Sequence, residues 1–404
     1  MIKDIKTVSV IGLGYIGLPT AALLANSGYK VFGMDANPSV VNTINKGEIH
    51  IVEPELDVVV RAVVAEGHLK AFSDVQVADV YILCVPTPFY SNEDIRKPNL
   101  EYVMSAASSI CNLLKSGDIL ILESTSPVGT TKLVEKFLDE AGVDTSKIHI
   151  AYCPERVLPG KIMRELITND RIVGGITDNS SKIVSKFYSS FVKGLIHETD
   201  CNTAEMCKLA ENSFRDVNLA FANELSIICD GNEVNVRELI KLANHHPRVN
   251  ILSPGTGVGG HCIAVDPWFI VASDPGNARL IHQARCVNDS KPDWVVNKIT
   301  SRLRDLSGHV KVACLGLSFK PDIDDLRESP AMLVVEKLIS SGVDLVCVEP
   351  NIKKHEHIPL IPLEDALLDY DVIAVLVNHK QFRDPLVRSL LASKDALDFC
   401  GVFE

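Results

Sequence analysis

Short apolar runs and amphipathic stretches alternate along the first half of the chain. Thr7–Leu13, Lys30–Asp35, Val80–Val85, Asp118–Glu123 and Ile148–Tyr152 are rich in Val and Ile and end in turn formers, so each reads as a short buried strand. Between them, Leu100–Lys115 and Thr130–Ala141 repeat their apolar positions at helical spacing. Such alternation predicts a parallel, doubly wound α/β sheet. The pattern changes near residue 200. Thr203–Cys229 is one long helical pattern without Gly or Pro, and Val236–Asn244 and Asp293–Leu306 are also helical. Strands return at Lys311–Leu317, Asp344–Glu349 and Asp371–Val377. The expected architecture is α/β, with two doubly wound parallel-sheet domains at 1–200 and 307–404. A central all-helical domain with a long spine helix, 201–306, joins them.

Composition narrows the function classes. A chain of 404 residues with 46% hydrophobic and 23% charged positions is an ordinary folded protein of two or three domains. Its formal charge of −12 argues against broad binding to nucleic acid or anionic lipid and leaves room only for a local basic site. Eleven cysteines, an odd number without a CxxC pair, suit neither a disulfide framework nor a zinc site. Reduced thiols in the cytoplasm and no bound metal are expected. The apolar start of the chain carries Lys3, Asp4 and Lys6 and no clean cleavage site, so it does not read as a signal sequence. No run of about 18 apolar residues suggests a membrane span.

Gly12-Leu13-Gly14-Tyr15-Ile16-Gly17 is a GxGxxG directly after the first strand, and it opens a helical pattern. Gly12 permits the tight turn, Gly14 lets backbone N–H groups, including those of Tyr15 and Ile16, approach a pyrophosphate, and Gly17 lets helix and strand pack closely. Asp35 closes the next strand, where its carboxylate would hold a ribose diol and repel a 2′-phosphate, favouring NAD over NADP. The first sheet is therefore Rossmann-like. Thr87 and Thr125 lie in turns after the next strands and can offer hydroxyls to the same cofactor.

The stretch from Pro254 to Asp266 places four glycines between 255 and 260, just before Cys262. Glycines add no apolar surface, so they serve close approach of the main chain to a bound group. A thiol at the end of such a loop suits a covalent nucleophile. Asp266 would raise rather than lower a thiol's pKa, so its expected task is ordering a water or a lysine. On the spine pattern, Lys208 and Asn212 are spaced i,i+4 and share a face that could hold an oxyanion. Taken alone, both read better as solvated surface residues, and only their combination with Cys262 and a dinucleotide site reverses that.

Together these motifs resemble the nucleotide-sugar 6-dehydrogenase family, to which UDP-glucose and GDP-mannose dehydrogenases belong. The resemblance covers nearly the whole chain through GLGYIGLP at Gly12–Pro19, ESTSPVGT at Glu123–Thr130, CPERVLPG at Cys153–Gly160, KLAENSFRDVN at Lys208–Asn218, GGHC at Gly259–Cys262 and FKPDIDDLRESPA at Phe319–Ala331. HPRVNIL at His246–Leu252 and GVGGHCIAVDPWFIV at Gly257–Val271 are most similar to the branch acting on UDP-N-acetyl-D-mannosamine, with UDP-glucose or another UDP-N-acetylhexosamine as the alternative. His261, Ala264-Val265 before Asp266, and Arg156 depart from the commoner pattern of the family.

The resemblance implies oxidation of a C6 alcohol to a carboxylate with two NAD⁺, through a thiohemiacetal and a thioester on Cys262. It implies Lys208, Asn212 and Asp266 as catalytic partners and Glu155 as a later proton carrier. Arg156, Val157, Leu158, Lys208, Asn212, Arg248, Gly259, Phe319 and Lys320 would meet the UDP-sugar, with Arg248 supplied by a neighbouring subunit. Arg327 would reach the NAD pyrophosphate. A homodimer packed through the central helices is also implied, and Leu209, Phe214, Val217, Phe221 and Leu225 form a matching apolar stripe. The competing classes are a one-hydride 3-hydroxyacid dehydrogenase, which needs no thiol, and an NAD-binding redox-sensing regulator without chemistry.

Overall fold

A computed structural model describes residues 5–90, 95–158, 160–260, 262–306, 308 and 310–403. The chain forms two compact units, Met1–Ala210 and Glu211–Glu404. The first is built on eight strands, β1 (Thr7–Ile11), β2 (Lys30–Met34), β3 (Leu69–Phe72), β4 (Val80–Leu83), β5 (Ile119–Leu122), β6 (His149–Tyr152), β7 (Arg171–Gly175) and β8 (Ile196–Asp200). Their order across the sheet is β8-β7-β6-β5-β4-β1-β2-β3. Strands β1 to β6 are parallel, as the alternation predicts. Strands β7 and β8 are parallel to each other, but β7 meets β6 antiparallel. The fully parallel sheet expected from the sequence thus carries a reversed two-strand edge.

Both faces of this sheet are covered, because its side chains alternate with period two between two apolar layers. Val80, Ile82, Ile119 and Ile121 enter one layer with the Gly17–Asn26 and Leu56–Ala65 helices. Tyr81, Leu83, Leu120 and Leu122 enter the other, with the Glu101–Ile110 and Thr130–Glu140 helices. The connections between parallel strands bring the turns after β1, β4, β5 and β6 to one edge of the sheet, which is where open α/β sheets bind ligands.

The long helix runs Cys201–Gly231, slightly beyond the pattern that announced it. Two helical features differ from expectation. Arg279–Arg304 is a single helix that passes through Pro292, whereas the pattern suggested a start at Asp293. Asp266–Ser273 is a further helix, with Pro267 in its first turn where a missing N–H costs nothing.

The second unit closes with β9 (Val312–Leu315), β10 (Leu345–Val348), β11 (Val372–Val375) and β12 (Leu397–Asp398), all parallel in the order β10-β9-β11-β12. Val312 and Cys314 face one apolar layer, Ala313 and Leu315 the other. The architecture is α/β, with two Rossmann-like parallel-sheet regions on either side of a helical stretch in the chain. Among the described residues no helix is long and apolar enough to cross a membrane.

Candidate active site

The glycine turn has the geometry its spacing requires. Gly12 has φ +90°, and a Cβ there would stand 2.7 Å from the carbonyl oxygen of Cys84. A Cβ on Gly17 would fall 1.8 Å from the carbonyl oxygen of Gly12, so helix and strand meet at contact distance. At Gly14 a Cβ would meet nothing within 4 Å, leaving open space above the turn. The Gly17–Asn26 helix begins at Ile16 without a side-chain cap, so its first N–H groups suit an anion. Asp35 stands at the end of β2 and accepts the Leu13 N–H at 3.0 Å and the Asn37 N–H at 2.9 Å. Those bonds fix its carboxylate beside the turn while each oxygen keeps a lone pair for a diol. Tyr15 and Ile16 are half-buried in the turn. This donor set fits a dinucleotide.

Thr87 donates its hydroxyl to the Thr125 carbonyl at 2.6 Å, and Ser124 donates to the Val85 carbonyl at 2.7 Å. The two turns after β4 and β5 are therefore laced into one surface. Behind them lies a buried cluster that the sequence did not announce. Glu123 accepts from Tyr188 at 2.6 Å and from the Cys84 thiol at 3.3 Å. Arg171 stands 3.0 Å from Glu155 and 3.6 Å from Glu123, and its guanidinium lies over the Tyr188 ring. Its position follows from the reversed edge. With Tyr152 opposite Gly174 in an antiparallel pair, continuing the register sets Arg171 opposite Glu155. Burial pushes the Glu123 carboxyl up, Arg171 pulls it down, and Glu155 pushes it up again. Burial and Glu123 together raise the Cys84 thiol well above its usual value.

Glu155 is thus an ion-paired, nearly buried carboxylate that also accepts the Arg156 N–H at 2.7 Å. The Arg156 guanidinium donates to the Asp170 carbonyl and lines a cavity of about 260 Å³ with Asp170, His197 and Cys207. Val157 is half-buried, whereas Leu158 is exposed and its N–H is held by Glu165 at 2.8 Å.

On the long helix, Lys208 is buried. Three residues before it, Glu205 is fully buried and caps the Thr130–Glu140 helix, accepting from Gly129 N at 2.6 Å, Thr131 N at 2.7 Å and the Thr131 hydroxyl at 2.6 Å. Glu205 fixes the rotation of the helix segment that carries Lys208. Its signal in the sequence is an acid three residues before a lysine within a helical pattern.

In the second unit, Asn212 donates to Asp266 at 2.5 Å. Asp266 is 2% exposed and begins the helix that follows Cys262, its N–H donating to the Cys262 carbonyl at 2.8 Å. An amide, that of Asn212, is thus among the partners of Asp266. Cys262 is exposed. The glycine loop before it is held by Asn223, whose side-chain oxygen accepts the Gly255 N–H at 2.9 Å. A Cβ on Gly259 would lie 2.2 Å from the Glu328 carbonyl oxygen, and one on Gly260 2.7 Å from the Phe319 ring. The glycines therefore serve close packing against residues 319–330. His261, a departure from the family pattern, lies outside the described residues, as do Lys3 and Asp4.

Phe319 and Lys320 are half-buried after β9. Arg327 is turned onto Asp325 through two bonds of 2.9 and 2.7 Å. Arg248 is exposed in the loop after the Val236–Ala243 helix. Among the described residues no group of three or more His, Cys, Asp and Glu is arranged to hold a metal ion.

Residues 6–192 match the NAD binding domain of the UDP-glucose/GDP-mannose dehydrogenase family, 202–290 its central domain and 313–404 its UDP binding domain. The chain is 55% identical to the UDP-N-acetyl-D-mannosamine dehydrogenase of Campylobacter jejuni, over 94% of this chain and 97% of that one. It is 50% identical to the NDP-N-acetyl-D-galactosaminuronic acid dehydrogenase of Ralstonia nicotianae, over 99% and 97%. The fold is similar to the solved UDP-D-ManNAc dehydrogenase of Pyrococcus horikoshii, with a TM-score of 0.89 and 36% identity over 98% of this chain and 96% of that one.

Proposed function

Because this chain belongs to the UDP-glucose/GDP-mannose dehydrogenase family and is an NAD-dependent oxidoreductase, we propose that it oxidises UDP-N-acetyl-D-mannosamine at C6 to the uronate. The observation that carries this reading is the bond from Asn212 to Asp266 beside the exposed Cys262 at the end of its glycine loop. NAD⁺, when bound, supplies the hydride acceptor. The alcohol loses a hydride from C6 and a proton from O6, managed by Lys208 or by a water held at Asp266. The Cys262 thiol adds to the aldehyde carbon, and its proton ends on the oxygen. That thiohemiacetal loses a second hydride and a proton to become a thioester. Water then cleaves the C–S bond, releasing carboxylate and returning the thiol. Asn212 and Lys208 donate to the oxyanions, and Glu155, steadied by Arg171, takes a proton in the later steps. The thiol keeps the aldehyde from escaping between the two oxidations.

Residues 1–200 form the NAD domain in this reading, 201–306 the dimerisation domain and 307–404 the UDP domain. Arg156, Val157, Leu158, Arg248, Gly259, Phe319 and Lys320 contact the sugar nucleotide, and Arg327 reaches the NAD pyrophosphate. The enzyme works as a cytoplasmic homodimer. Support for the dimer comes from Phe214, Phe221 and Ile228, exposed at seven-residue spacing on the long helix. A second sugar, N-acetylgalactosamine, which differs from N-acetylmannosamine at C2 and C4, is favoured by the 50% identity to the Ralstonia enzyme. The test is turnover of UDP-N-acetylmannosamine, UDP-N-acetylglucosamine, UDP-N-acetylgalactosamine and UDP-glucose, scored by NADH released per sugar. Two NADH per UDP-N-acetylmannosamine is the expected result, and preference for UDP-glucose overturns the assignment. Cys262→Ala should abolish carboxylate formation and retain NAD binding, whereas unimpaired turnover would exclude the thioester.

A further inference from the structure

We propose that His379 is a positioning residue that sets the loop carrying Phe319 and Lys320, and through Phe319 the glycine loop ending at Cys262. The proposal rests on assigning both loops to the nucleotide-sugar site. His379 follows β11 and is wholly buried, with Phe382 edge-on to its ring. The Asp322 N–H donates to Nδ1 at 3.0 Å. A backbone N–H can only donate, so Nδ1 holds a lone pair and the ring proton sits on Nε2. Nε2 faces the buried Glu349 carboxylate at 3.2 Å. Asn351 braces both members, its amide lying 3.1 Å from Glu349 and 3.2 Å from Nδ1.

Glu349 in turn accepts the N–H groups of Leu317 at 2.7 Å and Ser318 at 3.2 Å, and the Ser318 hydroxyl donates to the Lys320 carbonyl at 2.8 Å. The imidazole and carboxylate therefore grip the segment 317–322 at both ends. The grip holds an unfavourable backbone. Asp322 has φ 63°, a left-handed conformation that a residue with a Cβ adopts at a cost. Between the two anchors, Phe319 closes onto the Asp325 carbonyl through its N–H at 3.1 Å. Its side chain is the surface on which the glycine loop is moulded, since a Cβ at Gly260 would fall 2.7 Å from the ring and one at Gly259 would fall 3.1 Å from the Phe319 Cβ. Release of Asp322 thus frees Phe319 and removes the support beneath Cys262.

Three full-length variants separate positioning from bulk. In His379→Asn, the side-chain carbonyl can take the Asp322 N–H where Nδ1 did. In His379→Gln, the amide can still donate to Glu349 but offers nothing at Nδ1. His379→Ala loses both. The readouts are KM for the sugar nucleotide, KM for NAD, and alkylation of Cys262 by iodoacetamide, mapped by peptide mass against the exposed Cys286 as internal reference. His379→Ala should raise the sugar-nucleotide KM about tenfold with the NAD KM unchanged, and shift the Cys262 to Cys286 alkylation ratio about threefold. His379→Asn should restore both and His379→Gln neither. Unchanged values in His379→Ala, or equal losses in all three variants with the NAD KM rising too, would overturn the proposal. A wild-type enzyme that oxidises no sugar nucleotide refutes the proposed substrate instead, because the alkylation ratio still reports the loop.

Discussion

Replacing Arg171 with Met removes a guanidinium that is 4% exposed and holds two carboxylates, Glu155 at 3.0 Å and Glu123 at 3.6 Å. Met nearly matches its volume, so the loss is one of charge rather than space. Breaking a buried ion pair from one side costs about 3–5 kcal/mol, since the abandoned charges stay desolvated. Glu123 already lies above the ordinary 4.5 through burial, with Arg171 opposing. Without Arg171 the Glu123 carboxyl rises further in the folded state. A carboxyl raised by folding carries a penalty that is fully present above its folded pKa and fades as pH falls toward the unfolded value. The deficit of Arg171→Met must therefore be largest near pH 8 and shrink toward pH 5. With about 2–4 °C lost per kcal/mol in a unit of this size, the melting temperature by far-UV circular dichroism should fall by about 6–20 °C at pH 8. Glu155→Gln added to Arg171→Met should recover part of that loss. An equal deficit at both pH values would refute the charge argument.

Lys291 gives the opposite pH signature. The residue is 2% exposed, and its amine donates to Ser226 at 2.5 Å and stands over the Trp294 ring. Burial lowers it from 10.5 to about 7, with Asp230 opposing and Arg237 assisting. The resulting penalty, roughly 5 kcal/mol at most, is complete below pH 7 and is relieved as pH rises toward 10.5. Lys291→Met should therefore raise the melting temperature most at pH 6.5 and least at pH 9.5. Gly259→Ala drives a methyl to 2.2 Å from the Glu328 carbonyl, so turnover should fall about 100-fold while NAD titrations stay unchanged. Asp35 should make NADP⁺ at least about 100-fold worse than NAD⁺ in kcat/KM, and Asp35→Ser should narrow the gap by removing a charge that faces the 2′-phosphate.

Much of the proposed cofactor turn was legible because its signal is local. A glycine turn, the strand before it and the acid ending the next strand lie within 30 residues, and each answers to backbone sterics that a short segment carries by itself. The strands from β1 to β6 that are buried on both faces announced themselves as Val- and Ile-rich runs. Strand β8, Ile-His-Glu-Thr-Asp, did not, because an edge strand is free to be polar. The Asp266–Ser273 helix was hidden by its glycine-rich approach, and Arg279–Arg304 was cut short at Pro292, whose local veto the surrounding packing overrides.

What the sequence determined, then, is local: a thiol after glycines, a lysine and an amide one helical turn apart, a glycine turn between a strand and a helix. Tertiary structure decided which of them meet, and what holds them. Arg171 reaches Glu155 across an antiparallel register that no local pattern encodes, Asn212 finds Asp266 at a separation of 54 residues, and His379 takes the Asp322 N–H at a separation of 57. Spacing along a chain fixes a face or a turn. A hydrogen bond between distant segments depends on the whole path that closes the loop between them.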